Sequence, residues 1–432
     1  MSRFFSNKYQ KLTPYTPGEQ PKDMQYIKLN TNESPFPPAP RAIELAAEAA
    51  KKLQLYSDPE CRDLHKVFED VFGFSKDEVL FTNGSDEILN FAFMAFCDKD
   101  HPVVFPNITY GFYPVFAELN GIPYEEIPLR EDFTINPEDY IGIGKNIFIA
   151  NPNAPTGIAL PLSDIEKIVA SNPNNIVVID EAYVDFGAES AAPLTRKYDN
   201  LIVTQTFSKS RSMAGARLGF GIASPDLIRD MNTVKYSTNP YNVNSMTMAA
   251  GIGALSCEDY TRKNCQTVVE NRVFCMDAMQ KLGFEMTDSK TNFIFAKHPK
   301  IEGGVLYAKL RERGILVRHF TKEKIAQYNR ITVGSKEQME ELVPNSVEAS
   351  GEKHVPVVKS DGDVVEVNVG SVDHPMEDVH WIEWVELVSD KGSFRKHLNP
   401  GEAPSVKFRL SGEKPLAVYA YCNLHGLWKK EL

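Results

Sequence analysis

The chain has 432 residues with 47 basic and 58 acidic side chains, which gives a formal net charge of -11. This length exceeds one ordinary hydrophobic core, so two or three domains are expected. We find neither a basic stripe nor a run of about 18 apolar residues, which argues against nucleic acid and membrane partners. The N-terminus lacks the apolar stretch of a signal peptide and the cysteines lack a framework spacing, so we expect a reducing, cytoplasmic location.

The first three quarters of the chain have the pattern of an α/β domain. "NIFIA" (146–150), "IVVID" (176–180) and "LIVTQ" (201–205) are continuous apolar runs that each enter a loop, and helical patterns lie between them. Buried parallel strands have this character. The stretch "SKEQMEELVPNSVEAS" then begins as a helix, is stopped by Pro344, and continues as a polar segment. We therefore predict a linker at 344–351.

After this segment the pattern changes to short β-rich runs. "VVEVNVG", "HWIEWVELV", "SVKFRL" and "LAVYAYC" are separated by the turn-forming stretches "SDKG", "NPGE" and "SGEK". Short strands at close spacing indicate a small β-sandwich or barrel. The three Trp and five of the nine His fall in this part.

Lys209 lies in "TFSKSRSMAGARLGF", directly after an apolar strand, and Asp180 ends an earlier strand in "VVIDEAY". Ligands of open α/β sheets bind beyond the carboxyl ends of strands, so both side chains are expected to face one crevice. A lysine, a carboxylate and an arginine that meet there suit pyridoxal phosphate. "NGSDE" (83–87) runs into a helix and could hold the phosphate at the helix N-terminus. Each motif alone is weak, because surface lysines and strand-end acids are common, but their order along the chain is specific.

Residues 25–343 resemble a fold-type-I pyridoxal-phosphate aminotransferase of the histidinol-phosphate aminotransferase group. The stretches that carry the resemblance include "LNTNESPFPP", "YSDPECRDL", "NITYGFYP", "NPNAPTG", "GILVRHF" and "NRITVG", in family order. It implies a large, mostly parallel sheet domain at about 45–265. A small α+β domain is formed by the N-terminal segment and about 266–343. It also implies a homodimer with sites at the interface, an amino donor and a 2-oxo acid as substrates.

The resemblance also implies roles for single residues. Lys209 carries the cofactor and shuttles a proton. The other cofactor contacts are implied to be Asp180 at the ring nitrogen, Tyr183 and Asn153 at the ring oxygen, Tyr110 on the ring face, Ser85, Asp86, Thr206, Ser208 and Arg217 at the phosphate, and Tyr56 reaching the phosphate of the neighbouring subunit. Substrate contacts are implied for Asn32, Arg318 and Arg330. The sequence departs from the family at Ala154, where Asn is usual, so Tyr183 could instead act alone at the ring oxygen. Threonine-phosphate decarboxylases and aromatic aminotransferases share these motifs and stay open as alternatives.

A second group of candidate ligands lies after residue 345. It comprises four histidines and one cysteine, namely His354, His374, His380, Cys422 and His425. Structural zinc needs four ligands, whereas five nitrogen and sulfur donors suit a larger coordination number. A thiolate with imidazoles indicates iron or copper rather than magnesium or calcium.

This part resembles the catalytic domain of desulfoferrodoxin, a superoxide reductase. The stretches are "ELVPNSVEASGEKHVPVV", "VGSVDHPMEDVHWIEWVEL" and "YCNLHGLWK". The resemblance implies an immunoglobulin-like iron domain at 352–432, with the four histidines equatorial to mononuclear iron and Cys422 axial. Glu352 would close the sixth position in the oxidised state, and Lys353 would attract superoxide, which is reduced to hydrogen peroxide. Because no CxxC motif is present, electrons would come from an external donor such as a rubredoxin. A redox sensor and a structural module are the alternatives.

Overall fold

The structure is a computed structural model that describes residues 2–10, 12–344 and 351–432. Most of the predicted linker at 344–351 thus lies outside the described residues. The helices are α1 (Pro40–Ala50), α2 (Arg62–Phe72), α3 (Ser85–Phe96), α4 (Phe112–Asn120), α5 (Leu162–Ser171), α6 (Pro225–Thr238), α7 (Ser245–Leu255), α8 (Glu258–Lys281), α9 (Gly303–Glu312), α10 (Lys336–Leu342) and α11 (Gly351–His354). Within the described ranges, no helix combines the length and apolar character that crossing a bilayer requires.

The strands are distributed over five sheets in the described residues. They are β1 (Ile27–Lys28), β2 (Val79–Thr82), β3 (Val103–Pro106), β4 (Tyr124–Ile127), β5 (Asn146–Ala150), β6 (Val177–Asp180), β7 (Leu201–Thr206), β8 (Gly219–Ala223), β9 (Glu285–Met286), β10 (Phe293–Lys297), β11 (Ile315–Leu316), β12 (Arg318–His319), β13 (Asn329–Thr332), β14 (Pro356–Asp361), β15 (Val364–Val369), β16 (Ile382–Ser389), β17 (Gly392–His397), β18 (Ser405–Arg409), β19 (Pro415–Cys422) and β20 (Gly426–Glu431).

The largest sheet has seven strands in the order β2-β8-β7-β6-β5-β3-β4. The strands β4, β3, β5, β6 and β7 pair in parallel, whereas β8 is antiparallel to both β7 and β2. Every residue of β5, β6 and β8 is buried, as expected for strands that are covered on both faces. The predicted mostly parallel sheet is therefore confirmed, and β8 makes it mixed.

A smaller antiparallel sheet of order β12-β13-β10-β9 and the parallel pair β1-β11 complete the α/β part. The pairing of β1 with β11 joins the N-terminal segment to residues after 310. The seven-stranded sheet and these smaller sheets belong to one compact unit, Met1–Arg272 with Gly283–Val333.

The second compact unit comprises Val273–Leu282 and Gly334–Leu432. Its strands form two antiparallel sheets, β14-β15-β18 and β17-β16-β19-β20. Burial alternates along β15 and β18, so one face of each strand forms a core with residues of β16 and β19. The all-β expectation agrees with this arrangement, and the immunoglobulin-like topology stays a prediction. Helix α10 groups with this unit, and the domain bounds predicted from the sequence stay a prediction.

Candidate active site and metal centre

The seven-stranded sheet places the predicted lysine and aspartate at the same edge. Asp180 is the last residue of β6 and pairs in register with Thr204 of the adjacent strand β7. Lys209 follows the end of β7 by three residues, and both side chains line one cavity of about 820 Å³. The strand-end geometry expected from the apolar runs therefore brings the two groups to one site.

One carboxylate oxygen of Asp180 is a buried acceptor. Its Oδ2 accepts a hydrogen bond from the Tyr113 hydroxyl at 3.2 Å, whereas Oδ1 has no hydrogen-bond partner within the described ranges. Burial raises the pKa of this carboxyl to about 7, and the nearby Asp86 contributes in the same direction. A protonated ring nitrogen would supply both the missing donor and the missing positive charge.

The pKa of Lys209 is lowered, which favours its neutral and nucleophilic amine form. Burial lowers the pKa of its ammonium to about 8, and the Arg330 guanidinium lowers it further. The Nζ atom lies 3.4 Å from the backbone oxygen of Thr31 and 5.8 Å from the centre of the Tyr183 ring. An amine depressed in this way is partly deprotonated near neutral pH, which bond formation with an aldehyde requires.

The phosphate site predicted around Ser85 is a tight turn with little room for side chains. Ser85 is the first residue of α3, and the preceding Gly84 has a φ of +78°. A Cβ at Gly84 would lie 2.4 Å from Arg217 Nη2, and a Cβ at Gly219 would lie 2.3 Å from the Ser85 nitrogen. The helix N-terminus, Arg217 and the hydroxyls of Thr206 and Ser208 leave a cradle that fits an anion.

The Asp86 carboxylate accepts hydrogen bonds from two side chains that line this cradle. Its Oδ1 accepts from the Tyr110 hydroxyl at 2.7 Å, and its Oδ2 accepts from Arg217 Nη2 at 3.0 Å. A carboxylate would repel a phosphate, so the Asp86 side chain is better suited to orienting Tyr110 and Arg217. The backbone N–H groups in the first turn of α3 remain able to face an anion.

The predicted ring-oxygen contacts divide into one supported and one unsupported residue. Asn32 Nδ2 donates to the Tyr183 hydroxyl at 2.9 Å, and both residues line the cavity. Asn153 does not line it, because its amide bonds the Thr109 hydroxyl, the Ile108 carbonyl and the Thr156 hydroxyl. Tyr183 therefore lies in the cavity wall and Asn153 does not, and the roles of both at the ring oxygen stay predictions.

The two arginines of the predicted substrate site both line the cavity. Arg318 Nη1 and Nη2 donate to the carbonyls of Pro17 and Thr16, each at 3.3 Å. Arg330 Nη2 donates to the Asn30 carbonyl at 3.0 Å, while its buried Nε has no hydrogen-bond partner in the described part of the chain. Burial lowers the pKa of Arg330, so an anion beside it would be favoured.

Tyr56 lies outside this cavity, where its ring is 84% exposed and stacks on Tyr241 at 4.7 Å. Sequence reasoning missed Tyr15, which lines the cavity and stacks on Phe112 at 4.2 Å. The segment around Tyr15 has no hydrophobic periodicity, so no sequence signal placed it there. Taken together, the buried acceptor, the lysine and the anion cradle fit pyridoxal phosphate.

The five predicted metal ligands converge in the second unit. Their donor atoms all lie within 4.8 Å of one another, and they are contributed by His354, His374, His380, Cys422 and His425. His425 Nδ1 lies 2.9 Å from His354 Nε2, 3.1 Å from His380 Nε2 and 3.6 Å from Cys422 Sγ. Two nitrogens about 2.1 Å from one metal ion, at right angles, lie about 3.0 Å apart. The spacing thus fits a shared ion.

His374 is fixed in the tautomer that ligation requires. Its Nδ1 bonds the Pro375 carbonyl at 2.5 Å, which leaves the buried Nε2 as an acceptor without a partner. Burial lowers the pKa of His374 to about 4, so the ring is neutral near pH 7. A backbone carbonyl that orients an imidazole in this way is typical of metal sites.

Cys422 lies at the end of β19 in the turn that leads to β20. Burial raises the pKa of its thiol, whereas the backbone N–H groups of Leu424 and His425 lower it. A cation would make the thiolate favourable in this buried place. Trp428, which sequence reasoning left without a role, stacks on His354 at 4.8 Å and donates to the His425 carbonyl at 3.0 Å.

The predicted residues at the mouth of this centre lie in α11, which ends at His354. The Lys353 ammonium lowers the pKa of His380, after the larger effects of burial and His425. Within the described part of the chain, the Glu352 carboxylate does not belong to the group of converging donors. Five nitrogen and sulfur donors with one thiolate fit iron, as predicted from the sequence.

The fold and the first site define a pyridoxal-phosphate-dependent transferase. Residues 24–345 match the family model described as aminotransferase class I and II, and the chain belongs to this family. A histidinol-phosphate aminotransferase of Brachyspira hyodysenteriae is 48% identical over 345 residues, which cover 79% of this chain and 98% of that protein. One from Acetobacter pasteurianus is 46% identical, with coverages of 79% and 97%.

Solved structures agree on the fold. The histidinol-phosphate aminotransferase of Sinorhizobium meliloti, solved with pyridoxal-5'-phosphate, has a TM-score of 0.72 and 22% identity, covering 80% of this chain and 97% of that one. Residues 346–431 match the desulfoferrodoxin family model. The chain is therefore an aminotransferase with a C-terminal desulfoferrodoxin domain, and both resemblances stated from the sequence are confirmed.

Proposed function

We propose that the first site transaminates histidinol phosphate with 2-oxoglutarate. The observation that carries the proposal is the unpartnered Asp180 oxygen in the cavity that also contains Lys209. Pyridoxal phosphate, when bound, supplies an aldehyde for the lysine and a ring that withdraws electrons from the substrate carbon. Asp180 would hold the ring nitrogen protonated, and Lys209 would move the proton that the substrate carbon loses.

The proposed substrate class is based on two arginines, Arg318 and Arg330, that line the cavity. Histidinol phosphate has a phosphate ester where an α-amino acid has its α-carboxylate, and 2-oxoglutarate has two carboxylates. Arg318 and Arg330 present planar donors that match either group. The relatives that are 46–48% identical over nearly their whole length are named histidinol-phosphate aminotransferases, which supports this choice.

A two-substrate assay tests this proposal. The purified protein is incubated with histidinol phosphate and 2-oxoglutarate, and glutamate formation is measured. Threonine phosphate alone, with carbon dioxide as readout, tests the decarboxylase alternative, and an aromatic amino donor tests the third. Glutamate from histidinol phosphate at a kcat/KM at least about 100-fold above that with the aromatic donor supports the proposal. Carbon dioxide release from threonine phosphate overturns it.

We further propose that the chain acts as a homodimer through its aminotransferase part. Tyr56 and Tyr241 form an exposed aromatic stack, which is the kind of surface that a partner subunit covers. In this arrangement Tyr56 reaches the phosphate cradle of the other subunit. A Tyr56→Phe variant that keeps the dimer but binds pyridoxal phosphate more weakly would support this role, whereas unchanged affinity would contradict it.

For the second site we propose one-electron reduction of superoxide. The convergence of four imidazoles and one thiolate within 4.8 Å carries this proposal. Iron supplies the electron when bound in its ferrous form. One superoxide, one electron and two protons give one hydrogen peroxide, and the ferric iron is then reduced by an external donor such as a rubredoxin.

Two residues next to the metal ligands support catalytic turnover of superoxide rather than redox sensing. Lys353 adds a cation beside His380, and a cation at an open site attracts a small anion. Glu352, two residues before a ligand, is proposed to occupy the open position in the ferric state.

The stoichiometry of peroxide tests the reaction. Reduced protein exposed to a superoxide pulse should form one peroxide per superoxide consumed, whereas dismutation forms one peroxide per two superoxides. A Cys422→Ser variant is the control for the metal centre. Absence of peroxide beyond the dismutation yield contradicts a reductase and favours a sensor or a structural module.

A further inference from the structure

Glu340 is an acidic residue whose carboxylate is buried. It lies in α10, and its side chain is only 2% exposed. Neither carboxylate oxygen has a hydrogen-bond partner among the residues that the structure describes. Its Oε1 forms an ion pair with Lys336 Nζ one helical turn away at 3.6 Å, a separation longer than a hydrogen bond. A carboxylate in such a position destabilises a fold, so its presence needs a reason other than packing.

The carboxylate is directed at the turn that carries two metal ligands. A Cβ placed on Gly426 would lie 2.5 Å from Glu340 Oε1 and 3.1 Å from Oε2. Gly426 directly follows His425, pairs with Cys422 across the start of β20, and has a φ of +68°. Only glycine combines this backbone conformation with so close an approach. The absence of a side chain at Gly426 therefore leaves the space that the Glu340 carboxylate occupies.

The helix that carries Glu340 belongs to the stretch matched by the aminotransferase family model, whereas Gly426 lies in the desulfoferrodoxin match. Both residues nevertheless belong to the same compact unit. The acid therefore reaches the ligand turn from outside the segment that supplies all five donors.

We propose that Glu340 is a positioning residue of the metal centre, whose carboxylate packs against Gly426 and so limits the conformation of the Cys422–Gly426 turn, which supplies the Cys422 and His425 ligands. The inference rests on the proposed iron centre. It adds that the last helix of the aminotransferase segment is part of the support for that centre. Groups outside the ligand set commonly affect metal affinity about 10- to 100-fold.

Spectroscopy and redox titration of the full chain test the proposal. Glu340→Ala should shift the thiolate-to-iron charge-transfer band and the reduction potential of the iron, and should lower iron affinity about 10-fold. Glu340→Gln keeps the side-chain volume and should cause smaller shifts in the band and the potential. It provides the measurement if the alanine variant does not fold. Glu337→Gln removes an acid from the exposed face of the same helix and is the matched control.

A second pair of variants tests the contact itself. Gly426→Ala should weaken iron binding in the native background, because the new Cβ meets Glu340. In the Glu340→Ala background this collision is absent and only backbone strain remains, so the added loss should be smaller. If both Glu340 variants match Glu337→Gln in band and potential, the positioning role is wrong. If the native chain binds no iron with thiolate ligation, the proposed metal function itself fails.

Discussion

Arg318 and Arg330 are directly paired across the antiparallel strands β12 and β13, although both carry positive charge. Like charges at such positions are destabilising unless an anion lies between or beside them. Arg330 also has a buried Nε without a partner. This pairing supports the proposal that the two arginines bind an anionic substrate group.

Replacement of Arg330 by alanine should lower kcat/KM for both substrates. Loss of one partner from a buried charged contact costs about 2–4 kcal/mol, which corresponds to a reduction of about 30- to 1,000-fold. Steady-state kinetics with histidinol phosphate and 2-oxoglutarate measure the effect. Arg229→Ala, which removes an arginine paired with Asp226 on the surface, should leave kcat/KM unchanged. Equal effects of the two variants would contradict the assignment.

Gly219→Ala should weaken cofactor binding without general unfolding. Its Cβ would lie 2.3 Å from the Ser85 nitrogen, so the start of α3 must move away from the phosphate position. The matched control is Gly221→Ala on the same strand, whose Cβ would meet only the Ile88 side chain at 3.0 Å. Equilibrium titration with pyridoxal phosphate should show at least about 10-fold weaker binding for the first variant than for the second.

The rate at which the cofactor-free protein takes up pyridoxal phosphate should rise with pH through about 8. Burial and Arg330 hold the pKa of Lys209 near 8, against about 10.4 for an ordinary lysine, and only the neutral amine attacks an aldehyde. The neutral fraction therefore grows as pH rises through this value. Arg330→Ala removes one cause of the depression and should move the midpoint to higher pH. A native midpoint near 10 would contradict the depressed pKa.

Asp180→Asn should reduce transamination about 100- to 1,000-fold in kcat, because the amide cannot hold the ring nitrogen in its charged form. Tyr113→Phe removes only the hydrogen bond to Asp180 Oδ2 and should cost about 1 kcal/mol, or about fivefold. Pre-steady-state absorbance measurements separate the chemical step from binding. An asparagine variant with native kcat would exclude the proposed role of the carboxylate.

The two centres should be separable by single substitutions. Lys209→Ala should abolish the absorbance of the lysine-bound cofactor and transamination, and Cys422→Ala should abolish the ferric-thiolate band and peroxide formation. Each variant should retain the other signal, because the two side chains lie in different compact units. Visible spectra of both variants, loaded with cofactor and iron, provide the measurement. Loss of both signals in either variant would show that the units depend on each other.

Local patterns were sufficient to predict the strands that position the first site. The apolar runs ending at Asp180 and before Lys209 identify buried parallel strands, whose carboxyl ends necessarily share an edge. The five donors of the second site were likewise identifiable by residue type. In both cases the prediction depended on chemistry that few residue types can perform.

Contacts set by tertiary packing could not be predicted in this way. The amide of Asn153 is engaged by Thr109, Ile108 and Thr156, and nothing in "NPNAPTG" indicates those partners. Tyr15 lies in a segment without periodicity, and Glu340 resembles any acid of an exposed helix until its burial is known. The antiparallel strand β8 was also missed, because a buried strand has the same pattern in either direction.

The bond between His374 and the Pro375 carbonyl has a consequence for handling the protein. The His374 ring is already in the tautomer that binds a metal ion, and its pKa is low. It therefore discriminates little among divalent cations when the protein is overexpressed. Zinc and cobalt in the growth medium will compete with iron for the same imidazoles. Elemental analysis of each preparation should therefore precede any judgement about its redox activity.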